Sequence, residues 1–506
     1  MELELKKTRL DAYEMGGEVA LTQEETAETI VPDYCPDVAR VIETEGVVFL
    51  HAQEPQEGGL SGIVRVTVLY TPDGEPGIRT LEFTLPFTVE GGPEGARVLA
   101  EAETDFLETR LVNPRKLFTR CKLVLRLTPL REASLDFSAD VEAEEEARIE
   151  KRLERRKAVL LTQAVERDFT FTDEMDLSPG RPGAMELLSH QVSHAVTETK
   201  IIGNKLILKG VFTVSLLYLT ADGACASASG ELPFSQILDL EGTPEDAAVS
   251  ARLRLTGTDI QIGGGDPDGR VIEVALYLHA DALLRQEREL ELLSDLYSTA
   301  YAVRCNAAPL SFAGRYEQQT RRQMVRELLE IGVVVDAILS ITASCGPVSV
   351  SREEGRAILR TGVLIRVLYL DEGGVPLVTE RRVEAECQAD FSDGYNLSAR
   401  AVCPEDAQGS FSERGIEVRF PVEFLVEAVQ SVKALCVSSA ELDRETVPDS
   451  ASTPSLVLRR MGREETAWDL AKAYHTTIRE ILAANRLEDE ADLPSDTLLL
   501  IPRKRG

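Results

Sequence analysis

Histidine and tryptophan are scarce in this chain, which has five histidines and one tryptophan among 506 residues. Because histidine is the commonest general base and metal ligand, little is available for a multi-histidine catalytic or metal site. The eight cysteines never fall in a Cys-x-x-Cys pair, which excludes a zinc ribbon and a thioredoxin-like motif. Cysteines scattered singly are typical of a cytosolic protein that keeps them reduced and half-buried.

Positive charge and long apolar runs are also lacking. Lysine and arginine number 55 against 86 acidic residues, which gives a formal net charge of −31. Phosphate binding depends on clustered cations, so this balance argues against nucleic acid or an anionic membrane as the main partner. No window reaches about 18 consecutive apolar residues, and the N-terminal MELELKKTRLDAYEM has no apolar stretch. We therefore expect no transmembrane segment and no signal peptide, and a protein that stays where it is made.

Three segments repeat one pattern: a glycine, an alternating apolar run containing a tyrosine, and an acidic turn with glycine. They are GIVRVTVLYTPDG, GVFTVSLLYLTADG and GVLIRVLYLDEGG, which begin at Gly62, Gly210 and Gly362, 148 and 152 residues apart. The period-two alternation predicts half-buried strands, and Asp-Gly predicts hairpin turns. Further alternating strands follow each hairpin, so we predict an antiparallel β-sandwich or barrel in every repeat.

The repeat length sets the predicted domain organisation: mainly β, with three tandem antiparallel β-sandwich-like repeats and a small strand-helix-helix-strand unit. The charged segment between the first two repeats favours a connecting helix, because Glu144 and Arg148 could pair at i,i+4. A charged exposed strand is the alternative. The predicted boundaries are 1–138, 161–292 and 293–437 (diverged) for the repeats, 139–160 for the charged connector, 438–454 for a linker and 455–506 for the C-terminal unit.

Shorter segments that are also similar between the repeats precede the hairpins. The segments Val31–Val48 and Ser178–Val196 each place proline before an apolar pair, Val41-Ile42 or Leu187-Leu188. Proline beside acidic or small residues suits the first turn of a short helix, which we predict in both segments. The third copy keeps Leu328-Leu329 without the proline, which marks it as the most diverged repeat.

The C-terminal unit shows two helix starts between two strands. Thr466 can cap a first helix with Trp468 on its apolar face, and Thr476 or Thr477 can cap a second helix. Strand-like apolar runs stand at both ends of the unit. Because a unit of about 50 residues has a small core, we expect Trp468 to be a core residue.

This unit resembles a LysM domain from Ser455 to Pro502. The resemblance rests on Glu464-Glu465-Thr466-Ala467-Trp468, Ile481-Leu482-Ala483-Ala484-Asn485 and Leu499-Leu500-Ile501-Pro502. LysM domains hold N-acetylglucosamine chains in a groove between the loop before helix one and the loop after helix two. The resemblance therefore implies peptidoglycan as one partner.

Two departures from the LysM pattern favour a protein partner instead. Glu464 and Asp496 stand where the family has glycine, and a side chain obstructs the close backbone approach that glycine permits. Both loops are acidic, which suits a basic protein surface better than a neutral glycan. The residues predicted to form the partner or glycan groove are Glu464, Glu465, Thr466, Trp468, Asn485, Asp492 and Asp496.

The whole chain is similar to the SPOCS-domain plus LysM proteins of spore-forming Firmicutes, in particular the SipL-like spore-coat morphogenetic proteins. The likeness is most specific at VPDYCPDVARVI, IIGNKLILKGVFTVSLLY and the LysM segment. It implies a protein of the mother-cell cytoplasm that is recruited to the forespore surface during sporulation. It also implies binding to the spore-coat morphogenetic ATPase of the coat basement layer, or to another coat protein, with the LysM domain in the contact.

The residue patterns favour neither catalysis nor a metal or cofactor, and we expect a non-enzymatic scaffold. His190 and His194 have the i,i+4 spacing of paired metal ligands, but the sequence offers no evident third ligand, and we expect both at the surface. Gly263-Gly264-Gly265 lacks the lysine of a phosphate loop and predicts a hairpin turn. Asp33 and Asp37 lie beside prolines in a turn, where aspartate commonly accepts backbone N–H bonds.

Overall fold

The fold is described from a computed structural model of the chain. It describes residues 2–51, 59–93, 97–412, 414–446, 454–462, 465–490 and 498–503. Strands dominate these residues, and the two α-helices among them lie near the C-terminus. The predicted mainly-β fold is confirmed.

The strands fall into three sets, one for each repeat. The first set is β1 Glu4–Met15, β2 Val19–Ile30, β3 Val38–Leu50, β4 Leu60–Pro72, β5 Arg79–Val89, β6 Arg97–Asn113 and β7 Lys116–Glu142. The second set is β8 Ile149–Asp176, β9 Glu186–Ile202, β10 Lys205–Leu219, β11 Cys225–Asp239, β12 Ala248–Ile262 and β13 Val271–Ser298. The third set is β14 Ala302–Glu330, β15 Val335–Glu353, β16 Arg356–Asp371, β17 Pro376–Ala389, β18 Tyr395–Val402, β19 Gln408–Ser412 and β20 Gly415–Asp443.

Every repeat folds as two antiparallel sheets packed face to face. One sheet of each has the order β3-β4-β5, β9-β10-β11 or β15-β16-β17. The opposing strands are β2-β7-β6, β8-β13-β12 and β14-β20-β18. Buried side chains from both sheets fill the three cores, among them Val66 and Leu125, Phe212 and Leu276, and Val367 and Val422. The predicted β-sandwich-like repeats are therefore confirmed.

Long strands in each repeat continue past the sandwich as an antiparallel ribbon. The strand β7 pairs β2 and β6 along its first half and β1 along its second half. The strands β8 and β13 pair over their whole length, as do β14 and β20. Apolar side chains of the three ribbons form two shared clusters, one with Val141, Leu293 and Leu442, the other with Phe137, Leu292 and Phe312.

The predicted connecting helix at 139–160 is wrong, and the charged strand alternative is correct. These residues complete β7, form a 3₁₀ turn at Glu145–Ala147 and begin β8. Residues 149–161 pair with 285–298 of β13, and this ladder outweighs the weak charge pairs of a helix. The predicted boundaries after 138, 160, 292 and 437 all fall inside long strands, so the exact division remains a prediction. Within the predicted linker, residues 438–443 belong to β20, and 447–453 lie outside the described residues.

The short helices predicted ahead of the first two hairpins are also wrong, because β3 and β9 occupy these segments. Each strand carries a β-bulge at the same place, and β15 carries the third copy. The bulge leaves Ile42, Leu188 and Leu339 as the extra residues. The counterpart of the two apolar pairs is therefore Ile338-Leu339, and the assignment to Leu328-Leu329 is wrong.

The three hairpin sheets meet at one apolar contact. It contains Leu188 and Leu339 of the bulges, with Ile42 packed against them, and three leucines from the central strands. These leucines are Leu69, Leu217 and Leu368, each of which directly precedes the repeated tyrosine. Because side chains alternate along a strand, the tyrosines enter the sandwich cores while the leucines face this contact. The repeats are thus arranged around a common centre.

The third repeat replaces a glycine-phenylalanine pair with a threonine-alanine pair. Gly210 lies opposite Phe234, where a Cβ on the glycine would meet the phenyl ring, and the first repeat has the same pair. Thr361 lies opposite Ala385 in the third repeat. A bulge in β15 places the Gly346 carbonyl where it accepts the Thr361 hydroxyl at 2.8 Å. The two changes compensate each other in volume, so the diverged repeat keeps its sandwich core.

The C-terminal unit consists of β21 Leu456–Arg460, α1 Ala467–Ala473, α2 Ile478–Asn485 and β22 Leu498–Pro502. The two strands pair antiparallel, and both helices pack buried side chains into one cluster with the strands. The predicted strand-helix-helix-strand order is confirmed. Within the described ranges, no helix is long and apolar enough to cross a membrane.

Candidate functional site

Both helices of the C-terminal unit start at capping boxes. The Thr466 hydroxyl accepts from the Asp469 backbone N–H at 3.3 Å, while the Asp469 carboxylate accepts from the Thr466 N–H at 2.9 Å. Thr477 and Glu480 form the same arrangement at α2. A capping box satisfies helix donors that would otherwise lack partners. Thr466 was predicted to line the groove, and the structure shows that it caps the start of α1.

Asn485 ties α2 to the closing strand. Its Nδ2–H groups donate to the carbonyl oxygens of Ile481 at 2.8 Å and Leu500 at 2.7 Å. Its Oδ1 accepts from the Leu500 N–H at 2.9 Å. All these partners belong to the same unit, so the described bonds of Asn485 hold α2 against β22.

Glu465 binds within its own loop. Its carboxylate pairs with the Arg459 guanidinium at 2.5 Å and accepts from the Gly462 N–H at 2.9 Å. Its negative charge is therefore already paired inside the unit, which weakens the predicted attraction for a basic partner. The predicted residues Glu464, Asp492 and Asp496 lie outside the described residues. The acids after α2, Glu488, Asp489 and Glu490, are exposed.

Trp468 is buried, with 7 % of its surface exposed, and packs edge-on against Tyr297 at a ring-centroid distance of 4.9 Å. Its indole N–H donates to the Asp295 carboxylate at 2.7 Å. The Lys472 ammonium donates to both oxygens of that carboxylate, at 2.6 and 2.7 Å. Trp468 is therefore a core residue, as predicted, and its polar edge also bonds to the second repeat. Asp295 serves both donors of α1.

The turn between α1 and α2 extends this contact. The Tyr297 hydroxyl donates to the Thr476 carbonyl at 2.7 Å, and His475 Nδ1 lies 3.1 Å from the Ser298 carbonyl. Burial raises the pKa of the Tyr297 hydroxyl above its ordinary value, which keeps it a donor. The end of β13 thus meets α1 and the following turn through apolar, charged and neutral contacts. We call this set, Asp295, Tyr297 and Ser298 with Trp468, Lys472, His475 and Thr476, the β13 seat.

The β13 seat was missed by the sequence reasoning. Asp295 and Tyr297 stand in an ordinary alternating strand, and they are 173 and 171 positions from Trp468. One signal was available, because a buried tryptophan needs an acceptor for its N–H. That rule predicts that an acceptor exists without saying where in the chain it is.

The two histidines expected at the surface are half-buried between repeats, which corrects that prediction. His190 Nε2 lies 3.0 Å from the Thr258 hydroxyl, which also accepts from Arg65 of the first repeat at 2.5 Å. Burial, with the nearby Arg65 charge, lowers the pKa of His190 to about 4. Burial also lowers the pKa of His194. Both rings are held as neutral interface residues.

Two acidic residues of the first repeat bind across to the others. The Glu43 carboxylate lies 3.3 Å from the Arg366 guanidinium of the third repeat. Glu45 accepts from the Gln191 amide of the second repeat at 2.9 Å. Burial raises the pKa of both carboxyls, and the positive charge of Arg366 acts against that rise. These groups join the three repeats beside their common apolar contact.

Asp33 and Asp37 both bind one arginine of the first repeat. They lie 3.2 and 3.0 Å from the Arg115 guanidinium, which also donates to backbone carbonyls of their loop. Arg270 holds the equivalent loop of the second repeat, donating to the Ser178 carbonyl at 2.8 Å. The pair is part of a loop clamp. The predicted turn at 263–265 is confirmed between β12 and β13.

One described cluster has the composition of a cation site. Glu166, His279 and Asp281 place one ligand atom each within 4.8 Å of one another. The Arg97 guanidinium already binds this cluster, 2.7 Å from Asp281 and 3.0 Å from Glu166. Its charge takes the place that a divalent cation would need, so the residues fit an ion-pair network between the first two repeats better than a metal site.

Comparison with known families agrees with this architecture. A family model described as SipL, SPOCS domain, matches residues 183–262, which contain β9 to β12 of the second repeat. A second model, described as LysM domain, matches residues 462–502. The chain has the SPOCS plus LysM architecture. Neither a curated protein nor a solved structure matches it.

The SPOCS and LysM assignments confirm the resemblance drawn from the sequence motifs. Both are non-catalytic binding domains, and the SipL-type SPOCS domain connects the chain with sporulation. The LysM domain supports a binding function for the C-terminal unit. The β13 seat therefore fixes this binding domain on the second repeat, the one that the SPOCS model matches.

Proposed function

We propose that this protein is a non-enzymatic scaffold of spore-coat assembly that docks on the basement-layer ATPase at the forespore surface, in the mother-cell cytoplasm. The LysM domain is the protein-binding module in this proposal. The observation that carries it is the β13 seat, which fixes α1 while the acids after α2 stay exposed. A domain held in this way presents one oriented face to a polymer instead of moving on a linker.

The charge of that face supports a basic protein partner. Glu488 and Glu490 are exposed, and the sequence adds Asp492 and Asp496 shortly after them, with Glu464 in the loop before α1. Complementary charge raises the association rate and penalises wrong partners. A polymer offers many copies of its surface, so several scaffold molecules on one polymer gain affinity through effective concentration.

Peptidoglycan binding is the second candidate, because it is the default function of the LysM family that the C-terminal unit matches. The described groove candidates Thr466, Trp468 and Asn485 bind within the chain, which leaves them few free polar atoms for a glycan. We therefore place this function second.

Affinity capture from sporulating cells tests the main proposal. The bait is the full chain, compared with the chain ending at 446, and the readout is recovery of the coat ATPase. We expect recovery only with the full chain. Equal recovery by both baits would assign the contact to the SPOCS repeats and contradict the proposal.

Charge variants locate the contact on the LysM domain. Glu464→Lys with Asp496→Lys, and separately Glu488→Lys with Glu490→Lys, should reduce ATPase capture at least tenfold without unfolding the domain. Glu18→Lys with Glu231→Lys makes the same charge change at exposed sites on the repeats and should leave capture unchanged. Sedimentation of the full chain with purified sacculi that resists high salt would favour the peptidoglycan function instead.

A further inference from the structure

Two cysteines of the third repeat lie side by side. The Sγ atoms of Cys345 and Cys403 are 3.3 Å apart, and both residues are half-buried. All eight cysteines are described, and this is the one pair whose sulfurs lie within hydrogen-bonding distance among them. The buried Cys436, by comparison, accepts from the Ser138 N–H at 3.3 Å.

The two cysteines lie in segments of opposite sheets, one on a strand and the other just after a strand. Cys345 lies on β15, at the edge of a bulge where the register with β16 shifts. Cys403 follows β18, in the loop 403–407 that leads to β19. Both side chains border the apolar core of the third repeat. A covalent bond between them would join the two sheets at their open edge.

The loop that contains Cys403 also contacts the second repeat. The Asp406 carboxylate accepts from the Ser215 hydroxyl at 2.8 Å and from the Ser229 hydroxyl. Ser215 lies on β10 and Ser229 on β11. Whatever restrains the loop 403–407 therefore restrains the junction between the second and third repeats.

We propose that Cys345 and Cys403 form a dithiol modification site that a small-molecule disulfide, such as oxidised glutathione, converts to an intramolecular disulfide. The sulfurs need to approach by little more than 1 Å to reach bonding distance of about 2 Å. No motif marks this pair in the sequence, because the two cysteines are 58 positions apart.

The chemistry balances as a thiol-disulfide exchange. One cysteine loses its thiol proton to solvent and attacks a sulfur of the oxidant, which releases one reduced thiol and leaves a mixed disulfide. The second cysteine, deprotonated in turn, attacks the protein sulfur of that mixed disulfide and releases the second reduced thiol. One S–S bond forms between Cys345 and Cys403, one is broken in the oxidant, and two electrons pass to the oxidant.

The environment slows the first attack on the oxidant, and it favours closure of the mixed disulfide by the neighbouring cysteine. The hydrogen bond to Cys403, together with burial, raises the pKa of the Cys345 thiol, so few molecules carry the thiolate at neutral pH. After a mixed disulfide forms, the adjacent second sulfur resolves it faster than any distant thiol. The product staples β15 to the loop 403–407 and holds Asp406 against the second repeat.

The test is oxidation of the full chain with oxidised glutathione, followed by an acid quench and mass spectrometry. We expect a loss of two hydrogens, a peptide pair linking Cys345 to Cys403, and a fall in free thiols from eight to six. Cys345→Ser and Cys403→Ser should each abolish the internal link and instead retain bound glutathione. Cys387→Ser, which removes another half-buried cysteine of this repeat, should keep the link.

The stability of the oxidised chain provides the second measurement. A link between residues 345 and 403 closes a long loop, so the third repeat should unfold at a higher urea concentration after oxidation. Eight free thiols after treatment that fully oxidises a reference dithiol, or a link between other cysteines, would overturn the assignment. An unchanged urea midpoint of the oxidised chain would contradict the claim that the disulfide stabilises the third repeat.

Discussion

The Trp468 indole N–H donates to the Asp295 carboxylate at 2.7 Å, and this bond joins the LysM domain to β13. Lys472 binds the same carboxylate, so one acid serves two donors of α1. The partners differ in chemistry: an aromatic donor that is mostly buried and a cation that is partly exposed. The contact therefore combines apolar burial with a charge pair, and it orients the LysM domain as well as holding it.

Asp295→Ala should loosen the β13 seat, because Trp468 and Lys472 lose their shared acceptor. A buried donor left without a partner costs about 1–3 kcal/mol. Trp468 is the lone tryptophan of the chain, so its fluorescence reports on this contact alone. We expect its emission to shift to longer wavelength as water reaches the ring.

Glu291→Ala is the matched control for that experiment. Glu291 is an exposed acid of the same strand that pairs with Arg155 at 3.6 Å, away from the LysM domain. Its variant should leave the emission unchanged. An unshifted emission in the double variant Asp295→Ala with Tyr297→Ala would show that other contacts hold the domain.

Leu217→Ala should destabilise the chain by about 2–5 kcal/mol, because Leu217 is 2 % exposed at the contact of the three hairpin sheets. We expect the variant to unfold with a midpoint at a lower urea concentration. Leu456→Ala, at a leucine that is 51 % exposed, should change stability by less than about 0.5 kcal/mol. Equal midpoints for the two variants would mean that the common contact contributes little to stability.

His190 should make stability fall as the pH drops from its ordinary pKa of about 6.5 toward 4. The folded protein keeps the ring neutral, because burial lowers its pKa to about 4, whereas the unfolded chain takes up the proton. Between these values the unfolded state binds more protons, so acid favours unfolding, by up to about 3 kcal/mol.

His190→Gln can still bond to the Thr258 hydroxyl but removes the titrating ring. Urea unfolding at several pH values should show a shallower loss of stability for this variant between pH 6.5 and 4. His51→Gln, at an exposed histidine, should follow the unmodified protein. A parallel pH profile for His190→Gln would assign the acid sensitivity to other groups, such as the half-buried His194.

The period-two pattern around the repeated tyrosines predicted the central strands well. Alternation marks which side chains share a face, and Leu217 and Tyr218 do lie on opposite faces. The order of the C-terminal unit was predictable for a similar reason, because capping residues such as Thr466 mark where a helix begins. These signals are local, and local signals can be read from the chain.

The failures concern pairing between distant segments. The charges of residues 149–160 fit a helix face as well as an exposed strand, and the ladder with β13 decided between them. The bulges could not be read because one extra residue leaves no mark in the composition. The hydrogen-bond partner of Trp468 lies 173 positions away in the second repeat, and no motif around Trp468 points to it.

The convergence of Leu69, Leu217 and Leu368 has a consequence for how the molecule is assembled. Three similar folds around one centre are the arrangement of a homotrimer, but here all three belong to a single polypeptide. A homotrimer dissociates on dilution, whereas the covalent version stays assembled at any concentration. It is also free of exact symmetry, so Glu43 can bind Arg366 across one junction while Asp406 binds serines across another. Only one of three equivalent surfaces then has to carry the LysM domain.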